Sequence, residues 1–212
     1  MIMKTLWVFG DSFSVDFENN NIENFINYKE FKGYHPKSWG KILSEHLNCV
    51  YRNHSLGGCD NYTILETFCK YMTEIKPDDY VFVGWSTAER IRLVGNDGKW
   101  YVFNRTLPVD EWHGMNGNLI NNLLMNRIDD LSYLPQRVVL DEIKSWDNMI
   151  KHTMKDMKLH IWKWYNLGPL GEKYETIIQE TKGTIDDNHW SEKGHVDYAN
   201  DLLTLPILKG FI

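Results

Sequence analysis

Two short stretches near opposite ends of the chain hold side chains that chemistry uses. One reads Phe9-Gly10-Asp11-Ser12-Phe13-Ser14, the other Asp186-Asp187-Asn188-His189. A serine hydroxyl becomes a nucleophile at neutral pH only when a base takes its proton. An imidazole base in turn needs a partner that orients its second nitrogen. Ser12, His189 and Asp186 supply these three groups, in the order Ser…Asp…His, one of several orders that build this geometry. An aspartate three residues before a histidine, on a bend, can fold back onto the ring. Asp187 is the alternative orienter, with one residue between it and His189. Each stretch alone has a plainer reading: Gly10-Asp11 as a turn, Ser12 as a helix cap, and Asp187 or Asn188 capping a last helix beside a surface His189. Together they point to acyl transfer through a serine ester.

The elements around these stretches decide whether they can meet. Residues 4–9 form a short apolar run that stops at Gly10, which predicts a buried strand. Residues 16–36 are polar and aromatic and read as a loop with a short helix. Trp39, Ile42, Leu43 and Leu47 recur at helical spacing after Ser38, a helix cap. A second strand is predicted over 49–53, followed by a glycine loop at 53–61 and a helix over 62–75. A third strand, 80–83, stops at Gly84. Gly95-Asn96-Asp97-Gly98 predicts a hairpin turn between short strands, and 114–122 reads as loop. Val139, Ile143, Trp146, Ile150 and Met154 share one face of a long helix over 136–157. A fourth strand over 158–165, a connection over 166–185 and a final helix over 190–203 complete the chain.

Apolar strands alternating with helices predict a three-layer α/β/α sandwich with a mainly parallel sheet. Ligands in such folds bind beyond the carboxyl ends of the strands. The loops after Phe9, Asn53 and Val83 lie at such ends, so chemistry is expected there. With 212 residues, one domain spanning 1–212 is expected, with a loop-rich segment around 92–135.

The net charge of −6 and the lack of a basic stretch give no electrostatic case for nucleic acid. No apolar run approaches the roughly 18 residues that span a bilayer, and the N-terminal run leads into Gly-Asp-Ser without a cleavage site. The expected setting is therefore cytoplasmic, without membrane partners. Cys49, Cys59 and Cys69 are odd in number, fit no metal spacing and read as free thiols. Aromatic residues make up 14% of the chain, so some rings are expected at a binding surface beyond those the core needs.

These stretches, in this order, resemble the SGNH hydrolases, also called GDSL esterases and lipases. Gly10-Asp11-Ser12 matches the family's first block, with Ser12 as nucleophile. Asn53-x-x-x-x-Gly58 resembles the second, whose glycine amide serves the oxyanion hole. Asp186-x-x-His189 matches the last, with His189 as base and Asp186 as its orienter. The resemblance runs from residue 10 to residue 195 and implies a flavodoxin-like SGNH fold with no metal or cofactor. The combination of Gly-Asp-Ser-Phe-Ser with Gly84-Trp85-Ser86-x-x-Glu89-Arg90 is similar to SGNH-like proteins of tailed phages, which would allow a virion-associated setting.

The third block departs from the pattern. The family has Gly-x-Asn-Asp after the third strand, and its asparagine donates to the oxyanion. Here Ser86 stands at the Asn position and Thr87 at the Asp position. Loss of one oxyanion donor typically costs about 10²–10³ in rate. Four outcomes stay open: Ser86 or Thr87 substitutes, a residue elsewhere does, the enzyme is slow, or the site is silent. Glu89 and Arg90 read as a structural pair holding this loop. Asn61 is a candidate substrate contact, Trp85 a candidate pocket wall, and His54 a candidate lining residue. Asp11 supports the turn, and His195 reads as structural on the last helix.

The implied function is a serine esterase acting on a small acyl ester, such as an acetylated carbohydrate. In it, His189 takes the Ser12 proton, Ser12 attacks the carbonyl, and amides of Ser12 and Gly58 with the Ser86 hydroxyl hold the oxyanion. The alternatives are a silent binding or virion module with this fold, and an O-acyltransferase that uses an alcohol in place of water.

Overall fold

The computed structural model describes residues 3–18, 22–88, 90–94, 100–104, 136–163 and 173–208. Four strands, β1 (Thr5–Phe9), β2 (Val50–Asn53), β3 (Tyr80–Trp85) and β6 (Lys158–Lys163), form an all-parallel sheet in the order β2-β1-β3-β6. In the register, Leu6 lies beside both Tyr51 and Tyr80, and Tyr80 beside Lys158. The order 2-1-3 followed by the next parallel strand is flavodoxin-like. Its topological switch lies between β1 and β3, where ligands bind in such sheets. Between β3 and β6 in sequence, β4 (Arg90–Val94) and β5 (Trp100–Asn104) pair antiparallel, the hairpin that Gly95-Asn96-Asp97-Gly98 predicts. The turn itself and the loop-rich residues 105–135 lie outside the described residues.

Side-chain alternation along the strands feeds two cores, one on each sheet face. Leu6, Val8, Tyr80 and Phe82 pack with Trp39, Ile42 and Leu43 of α2 (Trp39–His46), and with Tyr198, Ala199 and Leu202 of the last helix, Glu192–Leu203. Trp7, Phe9, Val81, Val83 and Trp85 pack with Ile64 and Phe68 of α3 (Asn61–Tyr71), with Ile143 and Ile150 of α4 (Gln136–Thr153), and with Met154 just beyond it. Helices therefore cover both faces, which gives the three layers. Each fully buried large side chain contributes roughly 1.5–3 kcal/mol. All six residues of β3 are buried, as expected for the centre of a parallel sheet.

A third cluster lies to one side of the sheet. Val15 and Phe17 pack on Phe25 and Tyr28 of α1 (Glu23–Lys32), on Ile177 of the short α5 (Ile177–Glu180), and on Ile185. The last helix, α6 (Glu192–Leu203), starts from Ser191, whose hydroxyl accepts from the Gly194 amide. The helical periodicities therefore locate the helices well, while α5 falls inside the stretch read as connection. β3 runs two residues past its expected end at Val83, with Trp85 paired to Lys163. The final helix starts at Glu192 rather than at residue 190. Among the described residues, no helix is long and apolar enough to cross a membrane.

Candidate active site

The turn after β1 presents Ser12. Asp11 organises it: its carboxylate accepts from the Phe13 amide at 3.1 Å, and its carbonyl accepts from the Ser14 amide at 2.9 Å. This is the supporting role expected of Asp11. Gly10 has to be glycine for reasons of space. A Cβ there would sit 2.6 Å from Ser14 Oγ and 3.4 Å from the Gly84 carbonyl, so the ends of β1 and β3 approach only over a bare backbone. Ser12 is 4% exposed and makes no hydrogen bond to a described residue.

The glycine loop after β2 is fastened to this turn. The Leu56 amide donates to the Gly10 carbonyl at 3.0 Å, and the Asn53 side-chain amide donates to the Ser14 carbonyl at 2.7 Å. Gly58 is exposed and adopts φ +71°, which favours glycine. Asp60 then caps α3 by accepting from the Thr63 amide at 3.0 Å.

His189 reaches the same end of the sheet from the far terminus. Its ring lies 4.8 Å from that of Phe13, the residue after Ser12, and 5.3 Å from that of Phe25. The carboxylate that meets its Nδ1 is that of Asp187, not of Asp186. Asp187 Oδ1 lies 2.5 Å from His189 Nδ1 and also accepts from the His189 backbone amide at 2.8 Å. The Asp187 side chain is 3% exposed. Asp186 points away: it is exposed, and it lines an open cavity of about 470 Å³ with Asn24, Asn27, Glu30 and Phe31. The cause is local. The Ile178 amide donates to the Asp187 carbonyl, and the Ile177 amide donates to the His189 carbonyl. These bonds bolt the loop to the first turn of α5 and turn residue 187 inward.

With Nδ1 committed to Asp187, Nε2 is the nitrogen left to accept a proton. It has no partner among the described residues. His189 thus packs against the residue that follows Ser12, and no hydrogen bond joins it to Ser12. Such bonds commonly tighten only when substrate binds.

The loop after β3 differs most from expectation. Ser86 is 0% exposed, and its hydroxyl accepts from Arg90 Nη1 at 2.9 Å. The Asn61 side-chain amide donates to the Ser86 and Thr87 carbonyls at 3.2 and 3.3 Å. Asn61 is itself buried, so it fastens this loop rather than facing a ligand. Trp85 is fully buried, and its indole N–H donates to Asp147 of α4 at 2.6 Å. It packs in the core. His54 stacks on Tyr71 at 3.8 Å and on Trp7, and burial lowers its pKa. It too packs on the α3 side.

Arg90 is the residue that sequence reasoning undervalued. Glu89, its expected partner, lies outside the described residues. Arg90 Nη1 instead meets Ser86 Oγ, the Cys59 carbonyl at 3.2 Å and Asp11 Oδ2 at 3.4 Å. These partners are 4, 31 and 79 residues away in sequence, so spacing carries no signal for them.

His195 lies in α6, fully buried, and its Nδ1 accepts from the Trp39 amide at 3.1 Å. Burial, with a smaller effect from nearby His189, pushes its pKa down to about 3. A neutral ring that caps α2 has a structural role. Burial likewise pushes the Cys59 thiol up to about 12, which makes it a poor nucleophile beside the site.

No family model matches this chain, and no curated protein does. Among solved structures, the chain is similar to a proposed lipolytic protein of the G-D-S-L family from Desulfitobacterium hafniense DCB-2. The two are 12% identical, the match covers 93% of this chain and 96% of the other, and the TM-score is 0.38.

Proposed function

We propose that the protein is a serine esterase of the SGNH type, hydrolysing a small acyl ester such as an acetylated carbohydrate. Ser12 is the nucleophile, His189 the base and Asp187 the orienter. The observation that carries this reading is the Asp187–His189 hydrogen bond at 2.5 Å, packed through Phe13 against the Ser12 turn at the switch point of the sheet. A buried carboxylate on Nδ1 sets the tautomer that leaves Nε2 free to take the Ser12 proton, and it stabilises the imidazolium that forms. Ser12 then attacks the ester carbonyl, and the backbone amides of Ser12 and Gly58 stabilise the oxyanion. His189 returns the proton to the leaving alcohol. It next activates a water that releases the acid.

The second reading is a silent binding or virion-associated module with the same fold. The burial of Ser86 favours it, because a hydroxyl without accessible surface cannot stand in for the asparagine amide. Turnover separates the two readings. Hydrolysis of p-nitrophenyl acetate, and release of acetate from acetylated sugars, should be abolished in Ser12→Ala and in His189→Ala. Wild-type protein without turnover from mildly acidic to alkaline pH would leave the binding module standing.

A further inference from the structure

Three loops converge at the carboxyl ends of β1, β2 and β3, and one guanidinium touches all three. Arg90 Nη1 is within 3.4 Å of Asp11 Oδ2, 3.2 Å of the Cys59 carbonyl and 2.9 Å of Ser86 Oγ. Asp11 precedes Ser12, and Cys59 follows Gly58. The two residues whose amides would hold an oxyanion are therefore each one residue from an Arg90 contact. The third contact, Ser86, stands where the GDSL pattern has its asparagine. That hydroxyl is turned into the protein and is inaccessible.

We propose that Arg90 replaces the absent asparagine as the positioning residue of the oxyanion site. It fixes the Ser12 and Gly58 amides relative to each other and places a permanent positive charge behind them. This rests on the esterase reading above. An amide pair stabilises an oxyanion only when held in advance at the right separation, because reorganisation during the reaction spends the gain. Here the two amides belong to separate loops, joined to each other through Leu56 and Gly10 and, on the other side, through Arg90. Electrostatics act in the same direction. The Asp11 carboxylate is 2% exposed and one residue from the nucleophile. An arginine against it offsets a negative charge that would otherwise oppose the developing oxyanion. Arginine suits the task because its charge is permanent and its planar fork reaches several acceptors at once.

The test compares Arg90→Ala, Arg90→Lys and Ser86→Ala with wild type. It reads kcat and KM for p-nitrophenyl acetate, the rate of fluorophosphonate labelling at Ser12, and Tm. Arg90→Ala should lower kcat by about 10²–10³ and change KM by less than about threefold. Millimolar guanidinium ion, well below denaturing levels, should restore at least about tenfold of that loss, a response that a purely structural arginine would not give. Ser86→Ala should stay within about fivefold of wild type, because its hydroxyl touches no substrate. Three results overturn the proposal: an Arg90→Ala kcat within about fivefold of wild type, a Ser86→Ala loss larger than that of Arg90→Ala, or a kcat loss that follows the fall in Tm and ignores guanidinium. If Arg90→Ala does not fold, Arg90→Lys decides. It keeps the charge but loses the fork, so a kcat at least about tenfold down at unchanged Tm supports the proposal, and a wild-type kcat overturns it. Wild-type protein with neither turnover nor labelling removes the esterase reading and this proposal with it. Wild-type turnover that Arg90→Ala leaves intact removes this proposal alone.

Discussion

Replacing Asp187 and replacing its neighbour Asp186 should have opposite consequences, and the size of the difference follows from the geometry. Asp187 Oδ1 receives two hydrogen bonds at His189, one from the backbone amide at 2.8 Å and one across 2.5 Å at Nδ1. A hydrogen bond to a charged group contributes about 1.5–3 kcal/mol. The Nδ1 bond strengthens when the ring becomes imidazolium, so its loss falls on the transition state. At 1.36 kcal/mol per tenfold, Asp187→Ala should lower kcat/KM by about 10- to 150-fold. Asp187→Asn keeps an oxygen for both donors but loses the charge, and charge-assisted bonds are roughly twice as strong as neutral ones. Its loss should therefore be about half as large in free energy, near three- to twelvefold. Asp186→Ala and Asp186→Asn should stay within about twofold, because that carboxylate is exposed in the cavity beside Asn24 and Glu30. The assay is p-nitrophenyl acetate kinetics on all four variants, with Tm as the control for folding. A loss of tenfold or more in Asp186→Ala, with Asp187→Ala near wild type, would refute the assignment of the orienter.

Stability and acid give further tests. His195 and His160 are held near pKa 3 and 4 by burial, against 6.5 for a free histidine. Above pH 6.5 both states are neutral and the stability is fully present. As the pH falls below 6.5 the unfolded chain binds protons that the folded one refuses, so each ring removes about 1.4 kcal/mol per pH unit until its folded pKa is reached. His195→Gln, measured by urea denaturation between pH 6 and 5, should flatten the decline by about that amount, and an unchanged slope would contradict it. Trp85→Phe removes the donor to Asp147 in the core and should cost about 1–3 kcal/mol of stability with kcat within about twofold. A drop in kcat at unchanged stability would instead return Trp85 to the pocket wall.

Local sequence marks the turn and the loop that carry the candidate residues, whereas contacts between distant segments leave no such mark. Ser12 and His189 stand beside strong local signals, a strand ending in glycine and a loop leading into a capped helix. Asp187 was ranked behind Asp186 because its inward turn depends on α5, four residues long and hidden in a stretch without apolar periodicity. Trp85 was read as a candidate pocket wall because the strand was expected to stop at Gly84. A strand buried on both faces has no alternation to mark where it stops. The contacts of Arg90 with Asp11 and Cys59 on other loops could not be foreseen, because they leave no mark in spacing. The layered, parallel architecture followed from strand-helix alternation, whereas the strand order β2-β1-β3-β6 is set by tertiary pairing.

The measurement that bears most directly on the account is the mass of the protein after reaction with a fluorophosphonate, with the modified residue located by peptide sequencing. The account predicts one adduct, on Ser12, absent in Ser12→Ala and formed at least about 100-fold more slowly in His189→Ala. An unmodified Ser12 from mildly acidic to alkaline pH, or labelling at the wild-type rate without His189, would contradict it.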